Sequence, residues 1–180
     1  MANYALMTAV GRDRPGIVAA ISGVLLDADC NIEDSQMSRL GTDFSCMLLL
    51  AMPAGLTSLQ LEERLRAVRE QFKLWIHLAD LAPEEATGEP HDQPVYTIHV
   101  YGADRKGIVH RISKYLAEQG INVCNLHTEI IPHSVPLYVM LIEVEVPPFV
   151  DTARLSRDMK AIGKEIGVQV SVKQKDDARF

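Results

Sequence analysis

Apolar and polar residues mix and alternate from Tyr4 to Val10, which predicts a strand. Past Gly16 the period lengthens. Ile17, Val18, Ile21, Val24 and Leu25 fall on one face of a helix. Asn31 to Leu40 reads as a second strand, Leu40-Gly41-Thr42-Asp43 as a turn, and Phe44 to Ala51 as an apolar third strand. Leu61, Leu65, Val68 and Phe72 mark a second amphipathic helix. Leu74, Ile76 and Leu78 then alternate with Trp75, His77 and Ala79, which predicts a fourth strand.

The same order recurs. Gly102, Asp104, Arg105 and Gly107-Ile108-Val109 match Gly11, Asp13, Arg14 and Gly16-Ile17-Val18 at an offset of 91. That offset persists to Asn31 and Asn122, and then becomes 94, so that Pro147 matches Pro53 and Leu155 matches Leu61. The extra residues fall within IIPHSVPL, whose prolines indicate a turn. In the second copy the predicted strands are Val95 to Tyr101, Val123 to Ile130, Leu137 to Val146 and the run through Val168, Val170 and Val172. Its helices begin at Ile108 and at Leu155. Each copy therefore reads β-α-β-β-α-β, an α+β, ferredoxin-like arrangement of four antiparallel strands with two helices on one sheet face. The expected organisation is a domain at 1–81, an acidic, proline-containing linker at 82–94, a domain at 95–175 and a tail at 176–180.

Composition narrows the function classes. The 180 residues are 47% hydrophobic, enough for a proper core, and lack an apolar run long enough for a membrane span. The N-terminus lacks a basic n-region, so no secretory signal is expected. Three widely spaced cysteines, Cys30, Cys46 and Cys124, argue against a disulfide framework or zinc site and for a reducing cytoplasm. The net charge of −6, without a basic run, argues against direct DNA binding.

The repeated loop is the first candidate for chemistry. A phosphate-binding P-loop needs Lys and Ser or Thr after its last glycine, where Ile17-Val18 and Ile108-Val109 stand, and no G-x-G-x-x-G is present. What remains is a strand-to-helix turn with Gly16 or Gly107 at the helix start. Its free N–H groups suit an anion such as an amino-acid carboxylate. They equally suit a plain helix start, with Asp13 or Asp104 as the cap and Pro15 in the first turn. Asn31 and Asn122 either end the first helix in a left-handed conformation or meet a polar ligand at the strand end. The Asp-Arg pairs are either ligand grips or exposed ion pairs. His127 and His133 lack counterparts in the first copy and make a poor metal site. Ser22 and Ser113 have no evident base, so no catalytic residue is expected.

The stretch from Gly11 to Val18 followed by Asn31-Ile32, and that from Gly102 to Val109 followed by Asn122-Val123, resemble the ACT domain. The resemblance covers nearly the whole chain outside the linker and tail. It implies domains that associate through sheet edges and bind an amino acid between the β1–α1 loop of one and the second strand of its neighbour. On that basis the ligand-binding residues are Asp13, Arg14, Gly16, Ile17, Asn31 and Ile32, with Asp104, Arg105, Gly107, Ile108, Asn122 and Val123 in the second copy. Lys106 stands where the family has proline, so the copies are not expected to bind equally. The implied protein is a non-catalytic, cytoplasmic, oligomeric regulator without cofactor or metal. Its effector is a small amino acid, glycine being the first candidate. It controls transcription through a protein partner such as a transcription factor or, alternatively, serves as a regulatory subunit of a one-carbon or amino-acid enzyme.

Overall fold

The computed structural model of the chain describes residues 3–87, 93–132, 134 and 136–175. Residues 88–92 of the expected linker, the tail at 176–180 and His133 lie outside that part. The chain divides into two compact units, Met1–Pro90 and His91–Phe180.

The first unit runs β1 (Asn3–Arg12), α1 (Ile17–Asp27), β2 (Asn31–Leu40), β3 (Asp43–Met52), α2 (Ser58–Arg64), α3 (Arg66–Phe72), β4 (Trp75–Leu81) and α4 (Pro83–Thr87). The second runs β5 (Val95–Ala103), α5 (Ile108–Glu118), β6 (Asn122–Ile131), β7 (Leu137–Glu145), α6 (Thr152–Ile166) and β8 (Val168–Gln174). Each unit forms one antiparallel four-stranded sheet, ordered β2-β3-β1-β4 and β6-β7-β5-β8. The fold is the α+β, ferredoxin-like one that the repeat predicts.

Alternation explains the cores. Ala5, Met7 and Ala9 of β1 meet Cys46, Leu48 and Leu50 of β3 on one face, under Ile17, Ile21 and Leu25 of α1. The second unit repeats this with Ile98 and Val100 under Ile108, Ile112 and Leu116. Val18 shares the sequence period but not the burial; it is 49% exposed. The expected second helix of the first unit is interrupted at Leu65, although Leu61, Leu65, Val68 and Phe72 are all buried as their spacing requires. Its start is fixed by a capping box, in which Thr57 and Gln60 satisfy each other's backbone N–H groups.

Two local expectations need correction. The first helix does not end on Asn31. The left-handed residue is Asp29, and the Cys30 N–H donates to Leu25 O at 2.9 Å, a Schellman-type closure. Gly120 and Ile121 do the same after α5. Nor does Asp13 or Asp104 cap a helix: Gly16 and Gly107 occupy the cap in left-handed geometry, with no side-chain cap. The stretch after Leu81 carries a short helix. Pro83 opens α4, and Glu85 reaches back to accept from the Ala82 N–H at 2.8 Å.

The two edges of the first sheet differ. Glu62 covers β4 by accepting from the Leu78 N–H at 2.8 Å. β2 has no such cover, and all ten of its residues are exposed. Edges of this kind are templates for another strand.

Two glycines test the packing with opposite signs. A Cβ on Gly23, within α1, meets nothing within 4 Å. One on Gly163, within α6, lands 2.7 Å from Val170 Cγ2 and 2.8 Å from the Val168 carbonyl. Gly23→Ala is expected to stabilise the protein by about 0.5–1 kcal/mol. Gly163→Ala should destabilise it, because a backbone carbonyl cannot step aside. Denaturant melts of both variants check the pair; equal signs would refute the packing described.

Candidate functional site

The site starts at the end of β1. The strand stops at Arg12, and four residues later Gly16, at φ 97°, turns the chain into α1. Gly107 repeats this at φ 93°. A side-chain-bearing residue is strained there, so glycine is required. It also leaves the entry bare. Among the described residues no side chain caps α1 or α5, and no acidic residue stands in either first turn. The Ile17 N–H makes only a 3.5 Å contact with Arg14 O. Free donors at the positive end of a helix favour an anion.

The charged loop residues do not pair with each other. The Asp13 carboxylate lies 3.8 Å from Arg39 Nη1 on β2, in an exposed ion pair of little energetic weight. The Asp13 N–H donates to Thr42 O at 3.0 Å and thereby ties the loop to the β2–β3 turn. Arg14 lines an open cleft at this corner. In the second unit Arg105 lies over Gly167 at the start of β8. Asp104 faces Tyr138, whose phenol pKa is pushed up first by burial and then by that carboxylate.

Asn31 and Ile32 are elsewhere. Asn31 pairs with Ala51, whereas Leu40 pairs with Asp43 next to the loop. β2 has ten residues, so Asn31 stands about 30 Å from the loop end of its own sheet at about 3.3 Å per residue. Asn122, paired with Glu145, is likewise at the far end of β6. The residues implied by the resemblance thus form two half-sites per unit: Asp13, Arg14, Gly16 and Ile17 at one end, and Asn31 and Ile32 at the other. Asp104, Arg105, Gly107 and Ile108 are likewise separated from Asn122 and Val123. Asn31 Nδ2 donates to Glu33 Oε1 at 2.8 Å, and Asn122 Nδ2 to Glu145 Oε2 at 3.4 Å. A bulge follows each asparagine, with Glu33 and Cys124 as the extra residues.

Ile32 also joins a feature that the spacing did not reveal. It lines an apolar cleft of about 80 Å³ with Val18, Ile21 and Ser22 of α1 and with Met37 and Cys46. The available signal was the apolar Val18 beside Ile17, which the spacing places on the same helical face. Burial raises the thiol pKa of Cys46, and no group of His, Cys, Asp or Glu among the described residues could hold a metal ion. No described helix is long and apolar enough to cross a membrane.

Comparison with known proteins matches this geometry to a family. A family model described as the ACT domain matches residues 3–79 and again 96–173. The glycine cleavage system transcriptional repressor of Escherichia coli (strain K12) is 26% identical over 94% of this chain and 89% of its own length. The protein of that name from Shigella flexneri matches to the same extent. A crystal structure of an unknown protein from Galdieria sulphuraria superposes with a TM-score of 0.82 at 25% identity, covering 97% of this chain and 99% of that one. With one match over each sheet and its uncapped helix start, the chain belongs to the ACT domain family, as a tandem of two such domains.

Proposed function

We propose that this protein is a non-catalytic, cytoplasmic regulator that senses a small amino acid, with glycine as the first candidate. The observation that carries this reading is the separation of the two half-sites along an uncovered edge strand. Antiparallel pairing of β2 with the matching strand of another such domain sets Asn31 of one opposite Leu40 of the other. That places the asparagine end of each beside the partner domain's glycine loop. The ligand carboxylate then meets the free N–H groups after Gly16, and its ammonium meets acceptors such as the Asp13 carboxylate and the Asn31 side-chain oxygen. A ligand bound across such a seam stabilises the paired arrangement over the unpaired one, which is the differential affinity that regulation requires.

The output of this switch is transcription controlled through a protein partner. The likeness to repressors over 94% of the chain supports that reading. The charge of −6 supports a partner as the intermediary, because it disfavours the phosphate backbone. The loop of the second domain carries Lys106 in place of Pro15, and its Arg105 is held over Gly167. The first domain is therefore the stronger ligand site.

Two measurements test this. In a thermal-shift screen of the free amino acids, a small one is expected to raise the melting temperature. At a hundredfold excess over its dissociation constant it adds about 2.7 kcal/mol. Asn31→Ala, at an exposed position, should abolish the shift while leaving the unliganded melt near that of the parent. An absence of any shift, or a full shift in the variant, would contradict the proposed site. In a gel-shift assay at physiological salt the purified protein alone should not retard DNA. Tight, sequence-specific retardation would overturn control through a partner.

A further inference from the structure

The two domains differ most at one corner. In the first, Arg12, Arg14 and Arg39 line an open cleft of about 470 Å³, together with Asp13, Gly41 and Thr42. Three arginines and one aspartate thus line it. Asp13 reaches only Arg39, at 3.8 Å, and neither Arg12 nor Arg14 has an ion-pair partner among the described residues. Asp43 pairs with Arg12 in the strand register but does not line the cleft. This concentration of positive charge stands out in a chain of net charge −6.

The second domain lacks this corner. Strand register equates Arg12, Arg39 and Asp43 with Ala103, Ile130 and Leu137. All three of those positions are apolar in the second domain. The third arginine is shared, but it is held differently. Arg105 lies over Gly167, where an added Cβ would stand 2.9 Å from its Nη1. The equivalent of Gly167 is Lys73, which holds the same left-handed turn at φ 55° with a full side chain. Arg14, by contrast, lines the cleft. The frame beneath the arginines is rigid: Arg12 and Arg39 lie on paired strands, and the Asp13–Thr42 backbone bond closes the loop onto the turn.

We propose that this corner of the first domain is a binding site for a small anion carrying a phosphoryl group. Guanidinium forks match phosphoryl oxygens in bidentate geometry, and three arginines lining one cleft favour a ligand of more than one negative charge. The site shares Asp13 and Arg14 with the amino-acid half-site and goes beyond it through Arg12 and Arg39. Its probes contain no amino acid, so either reading stands if the other fails.

The test is isothermal titration of the full chain with inorganic pyrophosphate at physiological salt, with ADP and citrate in parallel. One pyrophosphate per chain is expected to bind, more weakly as salt rises. Arg12→Gln and Arg39→Gln, each at an exposed position, should reduce affinity by about tenfold or more. Arg157→Gln, on α6 of the second domain, should not change it. ADP binding as well as pyrophosphate identifies an esterified phosphoryl ligand; pyrophosphate alone identifies the free anion, and either outcome supports the site. No binding of either, affinity undiminished in both arginine variants, or citrate binding as tightly as pyrophosphate would overturn it.

Discussion

Each sheet ends in an open strand, and the rest of the molecule is arranged around that edge. Along about 30 Å of β2 the outward N–H and C=O groups have no strand beside them, since β3 occupies only the inner side. The opposite edge of the first sheet is treated differently, because Glu62 reaches from α2 to cover the Leu78 N–H. Such an uncovered edge is a template for a further strand, and the proposed pairing uses it. Ile32, Met37 and Leu40 keep apolar surface exposed on the same strand, and the small cleft beneath α1 opens between it and Val18. Edge, cleft and helix start thus lie along one side of the domain.

Chain connectivity accounts for the divided site. A β-α-β unit must turn into its helix at the end where the first strand stops, so the glycine loop sits at the far end of β1. The helix then runs back, and β2 must start from the other end. Asn31 and Gly16 are therefore separated by the length of the sheet in any single domain of this topology. Their union needs a second domain in antiparallel register. For the proposed sensor this is the source of coupling, since a ligand that touches both half-sites reports on pairing.

Much of this was legible in the sequence. The repeat exposed two domains, and strand alternation singled out Leu74, Ile76 and Leu78, all of which are buried. Side-chain chemistry near backbone turns was less legible. Asp13 has the right type and spacing for a cap, but a left-handed Gly16 redirects the chain, and the aspartate turns to Arg39 instead. Asn31 has the right type to end a helix, but Asp29 adopts the left-handed turn two residues earlier. Both errors arise because several residue types compete for one backbone role, and the winner depends on hydrogen bonds that close over five residues. The arginine corner was invisible for another reason. Arg39 is far from Arg12 in sequence, and only the hairpin register brings them together.

The dependence of the site on the edge is open to direct measurement by hydrogen exchange of the β2 and β6 amides, with and without the amino acid found in the thermal-shift screen. Pairing predicts slowed exchange at outward-facing amides of β2, slowed further by ligand, together with protection of the first turn of α1. Rapid exchange along β2 that is indifferent to ligand, while the α1 start becomes protected, would contradict a site completed by a second domain.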